Sequence, residues 1–176
     1  MKQIFYDTDI LSCFISIDDV SILEILFDEV IIPQEVYDEF SKLPVLKKKV
    51  DKLLKKKFIR IEKIIHGSQE HRLYASLRYG YEFDRRIGGG EAAAIALAVK
   101  HNGILASNNT RDIAEAIKKF NIKRIKTGDI FVKAYNEGFI SKEYGDELWA
   151  KMILKKRFLT EDTFSDYLEK NPKSIF

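Results

Sequence analysis

Five short runs of β-branched and aromatic residues, KQIFY (2–6), EVIIP (29–33), FIRIEKI (58–64), GILAS (103–107) and IKRIKT (122–127), alternate with longer segments whose apolar residues recur at helical spacing. Strands separated by whole helices cannot pair as hairpins. They align through crossovers, which predicts an α/β fold with a parallel sheet covered on both faces. Punctuation marks the helices. Pro33 is expected at a first helical position, Gly88, Gly89 and Gly90 precede the helical EAAAIALAVKH, and Asn102 with Gly103 ends it. In PVLKKKVDKLLKKK, Val45, Leu46, Val50, Leu53 and Leu54 fall near helical spacing with lysines opposite, the pattern of a basic amphipathic helix.

Beyond Gly138 the pattern becomes helical only, in ISKEYGDELWAKMILKK and LTEDTFSDYLEKN, with Thr160 and Thr163 as candidate caps. The expected organisation is an α/β domain over 1–138 and a helical C-terminal extension over 139–176. A chain of 176 residues suits one domain with such an appendage. Trp149, Met152, Ile153 and Phe158 are the extension's candidates for docking on the domain or for burying a dimer or partner surface, core packing being the favoured reading.

No apolar run approaches the roughly 18 to 20 residues of a membrane helix, and MKQIFYDTD is too brief and too soon charged for a signal-peptide core. A cytoplasmic protein with no membrane partner is expected. One cysteine, Cys13, excludes an intrachain disulfide, and three scattered histidines offer no ligand spacing. Any metal would therefore be held by oxygen. Net charge is only +3, yet basic residues gather in LKKKVDKLLKKKFIR, KKFNIKRIK and KMILKKRF. Such clusters suit either a polyanionic partner or ordinary solvated helix faces.

Ligands of open parallel sheets sit at the carboxyl ends of the strands, and acids fall there in this sequence. Asp7 follows the first strand directly, and Asp9 lies two residues on; either could instead cap the next helix. Glu39 borders the stripe formed by Val36, Phe40 and Leu43, while Asp38 points away. Glu91 opens the EAAAIALA helix on the face of Ile95 and Ala98, where the helix dipole also favours an acid. Asn109 and Asp112 have capping-box spacing, with Asn109 as cap and Asp112 bonding back. Four acids at one edge would repel one another unless a cation neutralises them. Mg²⁺ or Mn²⁺ suits carboxylate and water oxygens and could activate water against a phosphodiester.

These segments resemble the PIN-domain family, small α/β nucleases that include VapC-type toxins, over roughly residues 1–135. QIFYDTDIL is similar to the family's opening D-T-N strand, with Asp9 in place of the usual Asn. VIIPQEVYDEF resembles its V-x-P-x-x-V-x-x-E element, GGGEAAAIALA the helix bearing the third acid, and ILASNNTRDI the final T-x-N-x-x-D/E element. The resemblance implies a three-layer α/β/α fold with a five-stranded parallel sheet. It implies a metal-dependent endoribonuclease acting on single-stranded RNA, with Asp7, Glu39, Glu91 and Asp112 around Mg²⁺ or Mn²⁺.

Asp7, Glu91 and Asp112 would hold the metal, with Glu39 ligating it or orienting its water. Asp9, Ser107 and Asn109 would support the acids, and Lys48, Lys52, Lys56, Lys123 and Arg124 would contact the RNA backbone. Frequent homodimers and, in toxin members, an antitoxin partner are also implied. The GGGE version and the helical tail look closer to a different PIN branch than to the compact toxins. The alternative is a catalytically inactive module of the same fold that binds nucleic acid or protein.

Overall fold

The computed structural model describes residues 2–81, 83, 85–173 and 175–176. Its five strands, β1 (Ile4–Tyr6), β2 (Val30–Pro33), β3 (Ile59–Glu62), β4 (Ile104–Ala106) and β5 (Lys123–Ile125), form one all-parallel sheet in the order β3-β2-β1-β4-β5. The expected three-layer α/β/α architecture is the one observed. Strand order reverses between β1 and β4, the position where parallel sheets open a crevice.

The period of two along each strand divides the core. Ile4, Tyr6, Val30, Ile32, Ile104 and Ala106 face one layer, and Phe5, Ile31 and Leu105 face the other. The first layer contains α1 (Thr8–Ser16), α2 (Ser21–Leu26), α3 (Gln34–Ser41), α4 (Pro44–Lys55), α8 (Thr127–Asn136), α9 (Lys142–Leu154) and α10 (Phe164–Lys170). The second contains α5 (Gln69–Tyr79), α6 (Gly89–Lys100) and α7 (Ala114–Phe120). Buried Ala92, Ala93, Ala94, Ala96 and Ala98 let α6 lie close against β1, β2 and β4.

The tail shares the first core. Trp149, Met152, Phe164 and Tyr167 are buried there, and the Tyr167 hydroxyl donates to Asp129 at 2.9 Å. A Cβ on Gly128 would stand 2.3 Å from the Tyr167 ring, so the absent side chain is what admits α10. Thr163 caps α10 by accepting from the Asp166 N–H at 3.0 Å; Thr160 caps no helix. Ile153 and Phe158 depart from the docking expectation and are exposed.

Three other expectations are corrected. Pro33 closes β2 with extended backbone and helix α3 starts one residue later. Leu43 is exposed because α3 ends at Ser41, so a stripe projected past that end loses its phase, and Val45 is exposed in the first turn of α4.

Candidate active site

The acids meet at the carboxyl edge because of strand register. Tyr6 pairs with Ala106, so the next residues, Asp7 and Ser107, are neighbours just beyond the sheet. The Asp7 N–H donates to Ala106 O, and the Ser107 N–H donates to Ile125 O, both at 3.0 Å, which fixes each backbone to the adjacent strand. The Asp7 side chain is buried at 3% exposure and caps α1, its Oδ1 accepting from the Ile10 N–H at 2.9 Å.

Across from it, Glu91 projects from the first turn of α6. The Ser107 hydroxyl donates to Glu91 Oε1 at 3.1 Å and lies near enough to the Asp7 carboxyl to act on it. Ser107 thus lies between the two acids and gives its proton to Glu91. Burial, and then the charges of Glu91 and Asp9, push the Asp7 carboxyl up to about 8 against the opposing hydrogen bonds from Ser107 and Ile10. Burial, with the charges of Asp9 and Asp112, pushes Glu91 up to about 7. Among the described residues no cation is ion-paired with either carboxyl, and protonation or a bound cation would neutralise the pair.

Asn109 extends the network. Its Nδ2 donates to Glu91 Oε2 at 3.1 Å and to Asp112 Oδ2 at 3.2 Å. Its Oδ1 accepts from the N–H groups of Arg111 and Asp112, both at 3.1 Å. This closes a turn ahead of α7, which begins only at Ala114, so Asn109 does not cap that helix. The expected reciprocal bond is also missing, because the Asn109 N–H donates to Ser107 Oγ instead of Asp112. Asp112 is exposed, and its carboxyl is held below the usual range by Asn109 and by the Arg85 guanidinium, 3.1 Å away.

Glu39 sits on the near side of α6, half-buried as its helical phase predicts, with Asp38 exposed. Its carboxylate accepts from the Thr8 hydroxyl and from the Gly90 N–H at 2.8 Å. It thereby ties α3 to the starts of α1 and α6. Asp9 is exposed and lines a cleft of about 570 Å³ together with Asn109, Arg111, Asp112, Lys156 and Phe158.

The basic residues divide by position. Lys123 opens β5 and Lys56 precedes β3, so both belong to the amino edge of the sheet, opposite the acids. Lys52 and Lys56 border a separate cavity of about 300 Å³ with Asp18 and Glu24, and Lys48 is exposed on α4. Arg124 is half-buried near the acids, where its Nη1 donates to Asn109 O at 2.5 Å. It steadies the backbone that carries Asn109. Sequence reasoning missed Thr8 and Arg85. Thr8 lay inside the quoted DTD motif, whereas nothing local marks Arg85.

The carboxylate oxygens of Asp7 and Glu91 and the Ser107 hydroxyl suit a hard divalent cation in kind, whereas Asn109 turns its amide N–H toward the acids. Among the described residues, however, no three acids stand close enough together to surround an ion. Asp112 stands off from Asp7 and Glu91 beyond the Asn109 amide.

No curated protein matches the chain. A PIN-domain family model matches residues 3–172, from the first strand through α10. The chain belongs to the PIN-domain family, a nuclease-type family.

Proposed function

We propose that the protein is a metal-dependent endoribonuclease that hydrolyses phosphodiester bonds of single-stranded RNA at the carboxyl edge of its sheet. The observation that carries the reading is the grouping of Asp7, Ser107 and Glu91 at the sheet edge, where both carboxyls are pushed up and the Ser107 hydroxyl donates to Glu91. Asp7 and Glu91 would hold Mg²⁺ or Mn²⁺, with Asp112 joining them by leaving Arg85. Bound there, the ion would polarise a phosphoryl oxygen and lower the pKa of a water.

The chain's own residues position these groups. Ser107 and Asn109 orient Glu91 by donating to its two oxygens. Glu39 holds the start of α6, and therefore Glu91, against α1. Arg124 fixes the backbone of Asn109. A protein of this chemistry could serve as a toxin restrained by a small antitoxin. Growth arrest on expression, abolished by Asp7→Asn, would assign that role.

One observation favours the second reading, an inactive module that binds nucleic acid or protein: Asp112 is paired with Arg85 and does not face the buried acids. Incubating single-stranded RNA with Mn²⁺ and wild type, Asp7→Asn or Glu91→Gln separates the two. Cleavage confined to wild type and abolished by chelator supports the nuclease; equal activity in all three proteins overturns it.

A further inference from the structure

The loop joining α9 to α10 has an arrangement that core packing does not explain. Phe158 is 78% exposed, yet the backbone on either side of it is held firmly. The Lys156 N–H donates to Ile153 O at 2.8 Å and the Arg157 N–H to Met152 O at 3.0 Å. Beyond it, Trp149 Nε1 donates to Glu161 O at 2.9 Å, and Leu159 packs against the core. Lys156 adopts a left-handed backbone at φ 57°, a conformation that costs about 1 kcal/mol for a residue with a side chain. An ordered loop therefore presents a large apolar ring to solvent instead of burying it.

That ring lines a cleft with Asp9, Asp112 and Asn109, whose side chain in turn donates to Glu91. Lys156, Arg157 and Phe158 line it from the C-terminal loop, and Asp9, Asn109, Arg111 and Asp112 from α1 and the segment after β4. Among the described residues neither Lys156 nor Arg157 is ion-paired with a carboxylate. Arg157 reaches toward α1 closely enough for its charge to act on the Cys13 thiol. Adjacent cations and an exposed aromatic ring are the elements of a single-strand site: cations follow phosphates, and the ring stacks on a base of any identity.

We infer that residues 155–160 are the strand-binding wall of this site, with Phe158 stacking on a base of single-stranded RNA and Lys156 and Arg157 holding its phosphates. The inference rests on reading the acid edge as a ribonuclease site, and it moves RNA contact from α4 and β5 to the C-terminal loop. The bound strand lies in this cleft, its backbone on the cationic side and one phosphodiester facing the acids.

The test is fluorescence anisotropy with a labelled oligouridylate in chelator, where binding is read without cleavage. Phe158→Ala is expected to weaken binding about tenfold and Phe158→Trp to retain it. Lys156→Ala with Arg157→Ala should reduce the slope of log affinity against log salt by about one to two. Melting curves for each variant establish that it folds. Equal affinity of Phe158→Ala and wild type, or no binding by wild type, overturns the inference. Unchanged RNA binding with loss of a dimer in light scattering also overturns it, and gives the surface to a second copy of the chain. Cleavage with Mn²⁺ is read separately: binding that depends on Phe158 without cleavage leaves the loop assignment standing and removes the nuclease reading.

Discussion

Arg85 Nη1 lies 3.1 Å from Asp112 Oδ1, so the exposed acid beyond the Asn109 amide is neutralised by a cation from a distant segment of the chain. Both side chains are nearly half exposed, and such pairs contribute at most about 1 kcal/mol. Arg85→Ala should therefore change stability little while releasing Asp112 to join Asp7 and Glu91. The expected outcome is a nearly unchanged melting temperature and a lower Mn²⁺ concentration for half-maximal cleavage. A higher requirement would mean that Arg85 assists the metal-bound state.

Asp7 has two functions that different substitutions separate. Its Oδ1 caps α1 and its charge belongs to the acid pair. Asp7→Ala removes both, and loss of the cap alone costs about 1 kcal/mol. Asp7→Asn keeps an acceptor for the Ile10 N–H and removes only the charge. Urea denaturation should find the Asn variant more stable than the Ala variant by about that amount, with cleavage lost in both.

The pH dependence follows from the raised pKa values. Asp7 moves from 3.8 to about 8 and Glu91 from 4.5 to about 7 on folding. The folded protein thus binds these protons more tightly than the unfolded chain. The resulting stability is full below about pH 4 and is lost as pH rises through about 7 to 8. In chelator, wild type should lose stability across that range relative to Asp7→Asn, as read by urea midpoints at a series of pH values. Parallel profiles would show that Asp7 is ionised throughout.

Gly90 is the contact point of the Glu39 clamp. A Cβ there would stand 2.9 Å from Thr8 Oγ1 and 3.0 Å from each Glu39 oxygen. Gly90→Ala must displace the carboxylate or the helix, at an expected cost of about 1 to 3 kcal/mol. If the denaturation midpoint is unchanged, the clamp is not rigid.

How much was legible in the sequence depended on distance along the chain. Asp7, Ser107 and Glu91 could be placed because strand ends and a helix start position them, and period-two patterning marks those strands. The Arg85–Asp112 and Thr8–Glu39 contacts join residues 27 and 31 positions apart, and no local pattern specifies which loop tips meet. The SNNTRD segment suggested a helix cap. Asn109 instead closes a separate turn, because its side-chain oxygen is taken by two N–H groups before α7 begins. For Phe158 apolar character alone left core packing, the favoured reading, beside a dimer or partner surface, and the structure shows the ring exposed.

The central claim, that Asp7 and Glu91 form one acid pair that carries a divalent cation, is tested most directly by calorimetric Mn²⁺ titration near neutral pH in buffers of different ionisation enthalpy. The account predicts binding by wild type with proton release, since carboxyls held near about 7 and about 8 must ionise to become ligands, and at least tenfold weaker binding by Asp7→Asn and Glu91→Gln. Binding of equal strength in all three proteins, or none in wild type, would contradict it.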